Sequence, residues 1–159
     1  MERLSGHITI AAVGKIKRLQ FRFIQDDYLK RLARYTKIEL VEVKDAVGKG
    51  APNHVAIDKE GKQLLKATQK ANRRIVLVST GRQPDSIKLA RFVQNQVGLY
   101  SRIAFLIGGP MGLSDEVLSN CQESLSLSRL TFPHEIARLL LLEQLYRAAT
   151  IVAGESYHK

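Results

Sequence analysis

The sequence predicts an α/β domain of three layers, in which a mostly parallel sheet carries helices on both faces. Three observations predict it. Short apolar runs rich in β-branched residues alternate with longer stretches of helical period. One run, Ile75-Val76-Leu77-Val78, is apolar without interruption, as strands covered on both faces are. No repeat or long linker divides the 159 residues, so the strands belong to one sheet with right-handed crossovers.

His7 to Val13 reads as the first strand, and Ile24, Tyr28, Leu32 and Tyr35 then share one helix face. Lys37 to Val43 is the second strand. The segment Ala46 to Asn53, with Gly48, Lys49, Gly50 and Pro52, has turn chemistry without periodicity and reads either as a substrate loop or as a plain surface connection. Ile57, Gly61, Leu64, Leu65 and Thr68 restore the helical period before the buried run at Ile75. Pro84 opens the next helix and Gly98 closes it. Ile103 to Ile107 is the fourth strand, Ser114 with Asp115 and Glu116 marks a helix start, and the alternation across Ser124 to Ser128 marks a last strand. A final helix follows Pro133 and runs to about Ala149. Its Leu139, Leu140, Leu142 and Leu145 cover more than one stripe, which points to burial on several sides and a subunit interface. Glu143 and Arg147 stand at i, i+4, an ordinary helix-surface pair.

The chain is 45% hydrophobic and 25% charged, which suits one globular domain over 1–159 and excludes a disordered tail. Its net charge of +10 points to a polyanion partner. Lys15, Lys17, Arg18 and Arg22 lie just past the first strand, on the ligand side of a parallel sheet, where phosphate contacts would be sequence-independent. A single cysteine, Cys121, and no His or Cys pair at ligand spacing exclude a disulfide scaffold and a structural zinc; no metal is expected. The runs Ile8 to Val13 and Leu139 to Leu142 are too short for a signal peptide or a membrane span of about 20 residues, so a cytoplasmic location without membrane contact is expected.

Ligands of parallel sheets bind at the carboxyl ends of the strands, which singles out Ser79-Thr80-Gly81, Gly108-Gly109-Pro110-Met111-Gly112 and Ser128 to Pro133. The glycine segment allows close backbone approach, yet it lacks the G-x-G-x-x-G spacing and no ribose-binding acid follows. Gly48-Lys49-Gly50 lacks the phosphate-loop pattern. An ordinary dinucleotide site and nucleotide hydrolysis are thereby disfavoured. His134, at a helix start, reads as a hydrogen-bonding or proton-accepting group or as a structural histidine. The terminal Tyr157-His158-Lys159 would by default be frayed and solvated.

Taken together, Ile107-Gly108-Gly109-Pro110-Met111-Gly112, Leu125 to His134, Glu143-Gln144-Leu145-Tyr146-Arg147-Ala148 and Tyr157-His158-Lys159 resemble the ribosomal RNA large subunit methyltransferase H family. Val13-Gly14-Lys15 and Asp58-Lys59-Glu60-Gly61 extend the likeness over nearly the whole chain. The resemblance implies a SPOUT fold with a carboxyl-terminal trefoil knot, a homodimer, and transfer of the methyl group of S-adenosylmethionine to N3 of a pseudouridine in large-subunit ribosomal RNA, on the assembled ribosome. It places the cofactor against Leu77, Val78, Gly108, Gly109, Leu127, Ser128, Arg129, Leu130, Thr131 and Phe132. His134, Arg138, Tyr157, His158 and Lys159 would line the target-nucleotide side, with the tail ordered by RNA or by the partner subunit. Members commonly carry Leu-Asp and a longer loop after the third strand, whereas this chain has Val78-Ser79-Thr80-Gly81. Two rivals stay open from the residues: the same fold acting on another RNA such as transfer RNA, and a basic RNA-binding or ribosome-assembly module without catalysis.

Overall fold

The computed structural model describes residues 3–159. Five parallel strands form one sheet in the order β2-β1-β4-β3-β5, with β1 at His7–Val13, β2 at Lys37–Val43, β3 at Arg73–Arg82, β4 at Arg102–Ile107 and β5 at Glu123–Leu125. Ile8, Ile10 and Ala12 of β1, Ile103, Phe105 and Ile107 of β4 and Ile75 of β3 point to one face. They pack there against helices α1 (Leu19–Leu32), α3 (Ser86–Tyr100) and α5 (His134–Val152). The residues between them, Ala11, Val13, Ala104, Leu106 and Val76, meet α2 (Asn53–Ala67) and α4 (Asp115–Ser119) on the other face. The period-2 side-chain alternation thus divides one apolar sheet between two helical layers.

The topology obeys a single crossover hand. The connections from β1 to β2 and from β3 to β4 run in one direction along the sheet and use α1 and α3 on one face. Those from β2 to β3 and from β4 to β5 run the other way and use α2 and α4 on the opposite face. That pairing of direction with face is what uniform handedness requires.

Local boundaries differ from the sequence reading at informative places. Gly98 does not close α3; the helix continues to Tyr100, and Ser101 makes the turn at φ 64°. The start is capped by Asp85, whose carboxylate accepts from the Lys88 amide and is held below the usual range by it. The last strand is Glu123–Leu125, so of the Ser124 to Ser128 alternation only Ser124 and Leu125 pair. Ser126 donates its hydroxyl to the Ser128 carbonyl, and the Ser128 hydroxyl accepts from the Leu130 amide, so the serines build a loop in place of a ladder. β3 runs on past Val78 to Arg82 with a register shift against β5.

Candidate functional site

A cleft of about 390 Å³ opens at the carboxyl ends of β3 and β4. The crossover from β4 to β5 passes over β3 there, and all three sequence-selected loops converge on it. Leu77, Val78, Ser79 and Thr80 come from β3 and its end, Gly108 and Gly109 from the turn after β4, and Leu127, Ser128, Leu130, Thr131 and Phe132 from the serine loop. His134 and Ala137, on the first turn of α5, complete the lining. The volume falls in the range of small-molecule sites, and the lining combines apolar residues with Ser79, Thr80, Ser128 and Thr131.

The glycines are required by this geometry. A Cβ on Gly108 would lie 2.8 Å from Leu113 Cγ and 2.9 Å from the Gly112 carbonyl oxygen, and one on Gly109 would lie 3.2 Å from Val13 Cγ1. Gly112 turns the loop back at φ 86°, donating its amide to the Gly109 carbonyl at 3.1 Å. The wall of the cleft at this point is therefore bare backbone.

Not every residue expected at the site arrives there. Arg129 is exposed and outside the cleft lining. Arg138, expected at the target side, is only 1% exposed and points into the protein. Its guanidinium donates to Glu42 Oε2 at 2.6 Å, to the Gly14 carbonyl at 2.8 Å and to Gln25 Oε1 at 3.2 Å. The cause is helical geometry: one residue past Ala137 the helix has turned by about 100°, which carries Arg138 from the cleft face to the loop after β1. Arg138 ties α5 to the loop after β1, where Glu42 also accepts from the Ile16 amide and Glu135 from the Lys17 amide.

The tail is ordered rather than frayed, and it lies along its own α5. Tyr157 stacks edge-on against Tyr146 with centroids 4.7 Å apart, lies under the Arg147 guanidinium, and donates to Glu143 Oε1 at 3.2 Å. Burial pushes the Tyr157 phenol well above its ordinary value. Arg147 also meets His158 Nδ1 at 3.2 Å. A guanidinium only donates, so Nδ1 accepts and the ring proton sits on Nε2. Lys159 is exposed. Glu143 stands nine residues beyond His134, about 13 Å along the helix axis, so the docked tail does not border the cleft of its own chain.

Glu60, part of the Asp58-Lys59-Glu60-Gly61 motif, has no site role in the sequence reading. It is 2% exposed on α2; its Oε2 accepts from the amides of Ala46 and Val47, and its Oε1 is buried without a partner. The signals available were that motif and a glutamate directly before a glycine within an amphipathic helix. Gly61 sits so close to Ser114 that any side chain would collide with its hydroxyl. Among the described residues no group of three His, Cys, Asp or Glu is placed to hold a metal, and no helix is long and apolar enough to cross a membrane.

Comparison with known proteins agrees with this geometry. Residues 7–158 match the model of a family described as predicted SPOUT methyltransferase. Proteins named ribosomal RNA large subunit methyltransferase H are similar over nearly the whole chain. The one from Halothermothrix orenii is 45% identical over 157 residues, and the one from Shouchella clausii 41% identical over 162. Each alignment covers 96% of this chain and 99% of the relative. Among solved structures, a probable methyltransferase from Bordetella pertussis Tohama I has the same fold at a TM-score of 0.62 and 14% identity, covering 92% of this chain and 98% of that one. A probable methylase family protein from Haemophilus influenzae Rd KW20 matches at 0.53 and 12% identity, covering 94% and 67%.

Proposed function

Because the chain belongs to the SPOUT methyltransferase family, with S-adenosylmethionine as methyl donor, we propose that it methylates N3 of a pseudouridine in large-subunit ribosomal RNA. The observation that carries this reading is the convergence of three loops, widely separated in sequence, on one cleft with a glycine wall. The relatives' names supply the ribosomal RNA as substrate.

The residues present fit the cofactor. Leu77, Val78, Leu127, Leu130 and Phe132 offer apolar surface to an adenine, and at Gly108 and Gly109 the turn presents backbone alone to the cleft. When bound, the cofactor would supply an electrophilic sulfonium methyl group to the N3 nucleophile. The chain's own work is to exclude water and to align the two partners, which is the main source of rate in such a displacement. N3 must also lose its proton. His134 is the titratable side chain in the cleft lining and takes that role, with His158 of a tail delivered from elsewhere as the other candidate.

The remaining features follow from the same reading. The carboxyl-terminal segment forms a trefoil knot. In support, the SPOUT family model matches residues 7–158, and a Cβ on Gly81, near the end of β3, would lie 2.7 Å from the Leu125 backbone, so β3 and β5 press together there. The working unit is a homodimer in the cytoplasm acting on the assembled ribosome. Phe23 at 76% exposure, with Leu19 on the same helix and Leu140 on α5, offers apolar surface for a second copy, whose tail would reach the target side of this cleft.

Methyl-labelled S-adenosylmethionine, incubated with the protein and intact ribosomes lacking the modification, tests the proposal. Label mapped by mass spectrometry to N3 of a pseudouridine is the expected result. Label on transfer RNA would replace the substrate, and ribosome binding with no label would overturn the enzymatic reading.

A further inference from the structure

Two oxygens of one carboxylate on α2 face two different parts of the site. Glu60 Oε2 accepts the Ala46 amide at 2.7 Å and the Val47 amide at 3.3 Å, fixing the start of the segment 46–53. Glu60 Oε1 lies against the back of the glycine turn, 3.5 Å from where a Gly109 Cβ would stand, and is buried without a hydrogen-bond partner. A single side chain thus separates the segment after β2 from the cleft wall. Burying a carboxylate with one oxygen unsatisfied is costly, and a neutral side chain would fill the same space at lower cost. Charge at this place therefore needs a reason beyond packing.

The segment it holds supplies that reason. Lys44 is exposed, and its amide is anchored by Gln63 Oε1. Lys49 lies 3.2 Å from Asp45, whose carboxyl it holds below the usual range, with Lys17 adding to the effect. The loops after β1 and β2 thereby meet, Asp45 Cβ lying 3.9 Å from where a Gly14 Cβ would stand. Gly48 and Gly50, at φ 80° and 96°, leave the tip of the segment with little stiffness of its own. The carboxylate beneath it is the anchor given by two charge-assisted bonds.

We infer that Glu60 is a positioning residue that latches the segment 46–53 to the back of the Gly109 turn, so that Lys44 and Lys49 meet the phosphates of the RNA substrate beside the transfer site. The inference rests on the reading of this chain as an RNA methyltransferase. The latch is weakened from either side, by Glu60→Gln, which removes the charge and keeps only a neutral acceptor, or by Ala46→Pro, which removes the shorter of the two amide bonds and leaves Glu60 intact.

Hydrogen exchange of the amides of residues 47–50 should quicken at least tenfold in both variants. Affinity for intact unmodified ribosomes should fall about tenfold, the loss expected for one charge-assisted hydrogen bond. Affinity for S-adenosylmethionine should stay within twofold, and the double variant should be no weaker on ribosomes than the weaker single one. Unchanged exchange in both variants, or faster exchange with unchanged ribosome affinity, overturns the latch. A parallel loss of cofactor affinity, or additive losses in the double variant, would make Glu60 a packing residue only. If Glu60→Gln does not fold, Ala46→Pro decides alone. Ribosome binding is read without catalysis, so absence of methyl transfer by the unaltered protein would sink the proposed reaction without deciding the latch.

Discussion

Glu42 on β2 and Arg138 on α5, 96 residues apart in the chain, meet at 2.6 Å, the arginine being 1% and the glutamate side chain 25% exposed. The same guanidinium holds the Gly14 carbonyl at 2.8 Å. One side chain therefore fixes the position of α5, which carries His134 into the cleft, relative to the basic loop after β1. Truncating it leaves the Gly14 carbonyl without this donor and the Glu42 carboxylate without its charged partner, with the Ile16 amide at 3.3 Å still donating to Glu42. Arg138→Ala should lower stability by about 3 kcal/mol in denaturant unfolding. Arg138→Lys should recover only part of this, because an ammonium cannot reproduce the planar fork. A loss under about 1 kcal/mol for the alanine variant would show that the pair contributes little.

Gly108→Ala tests the glycine wall. Its Cβ would need Leu113 or the Gly112 carbonyl to move, and both shape the cleft. Affinity for S-adenosylmethionine by calorimetry should fall at least tenfold, while the thermal midpoint shifts only a few degrees. Unchanged affinity would move the cofactor away from this turn.

The histidines divide by position. His134→Ala should slow single-turnover methyl transfer about 10²-fold if it accepts the N3 proton. His158→Ala should do so only where the tail has left Arg147, because Nδ1 is engaged there. Unchanged rates in both variants would remove histidine from the proton transfer.

Deleting Tyr157 to Lys159 removes the contacts with Tyr146, Arg147 and Glu143. The cost in stability should be about 1 kcal/mol, the scale of one aromatic pair with one hydrogen bond. Methyl transfer should fall far more, at least 100-fold, and retained transfer would assign the tail a packing role only.

Tyr35 donates to Glu155 Oε2 at 2.6 Å, and this bond, with burial, pushes its phenol up to about 12 from 10. The folded state holds the proton more tightly than the unfolded chain does. The stabilisation is complete below pH 10 and is lost as pH rises towards 12. Tyr35→Phe should cost about 1 kcal/mol at neutral pH and show a shallower alkaline decline in thermal midpoint between pH 10 and 12. An equal decline in both proteins would assign the alkaline loss to other groups.

The sequence by itself determined the strands, their parallel class and the three loops that meet at the cleft. Those features rest on local signals: an uninterrupted apolar run at Ile75 to Val78, glycines at 108, 109 and 112, and Pro133 before a helix. It also carried the family likeness, because the motifs are short and contiguous. Strand order and the fate of individual side chains were decided only by tertiary structure. Arg138 is expected on the target-nucleotide side by the family likeness, and only the 3.6-residue period of α5, set against Glu42 and the Gly14 carbonyl, turns it inward. Glu60 reads as one acid among the helix's charged residues until the backbone of Ala46 and the turn at Gly109 close around it. Tyr157 to Lys159 read as a loose end until an aromatic partner eleven residues earlier gives Tyr157 a surface to pack on. In each case the deciding partner lies outside the local pattern, and burial, which sets the cost of leaving a charge or ring unpaired, exists only once the chain has folded.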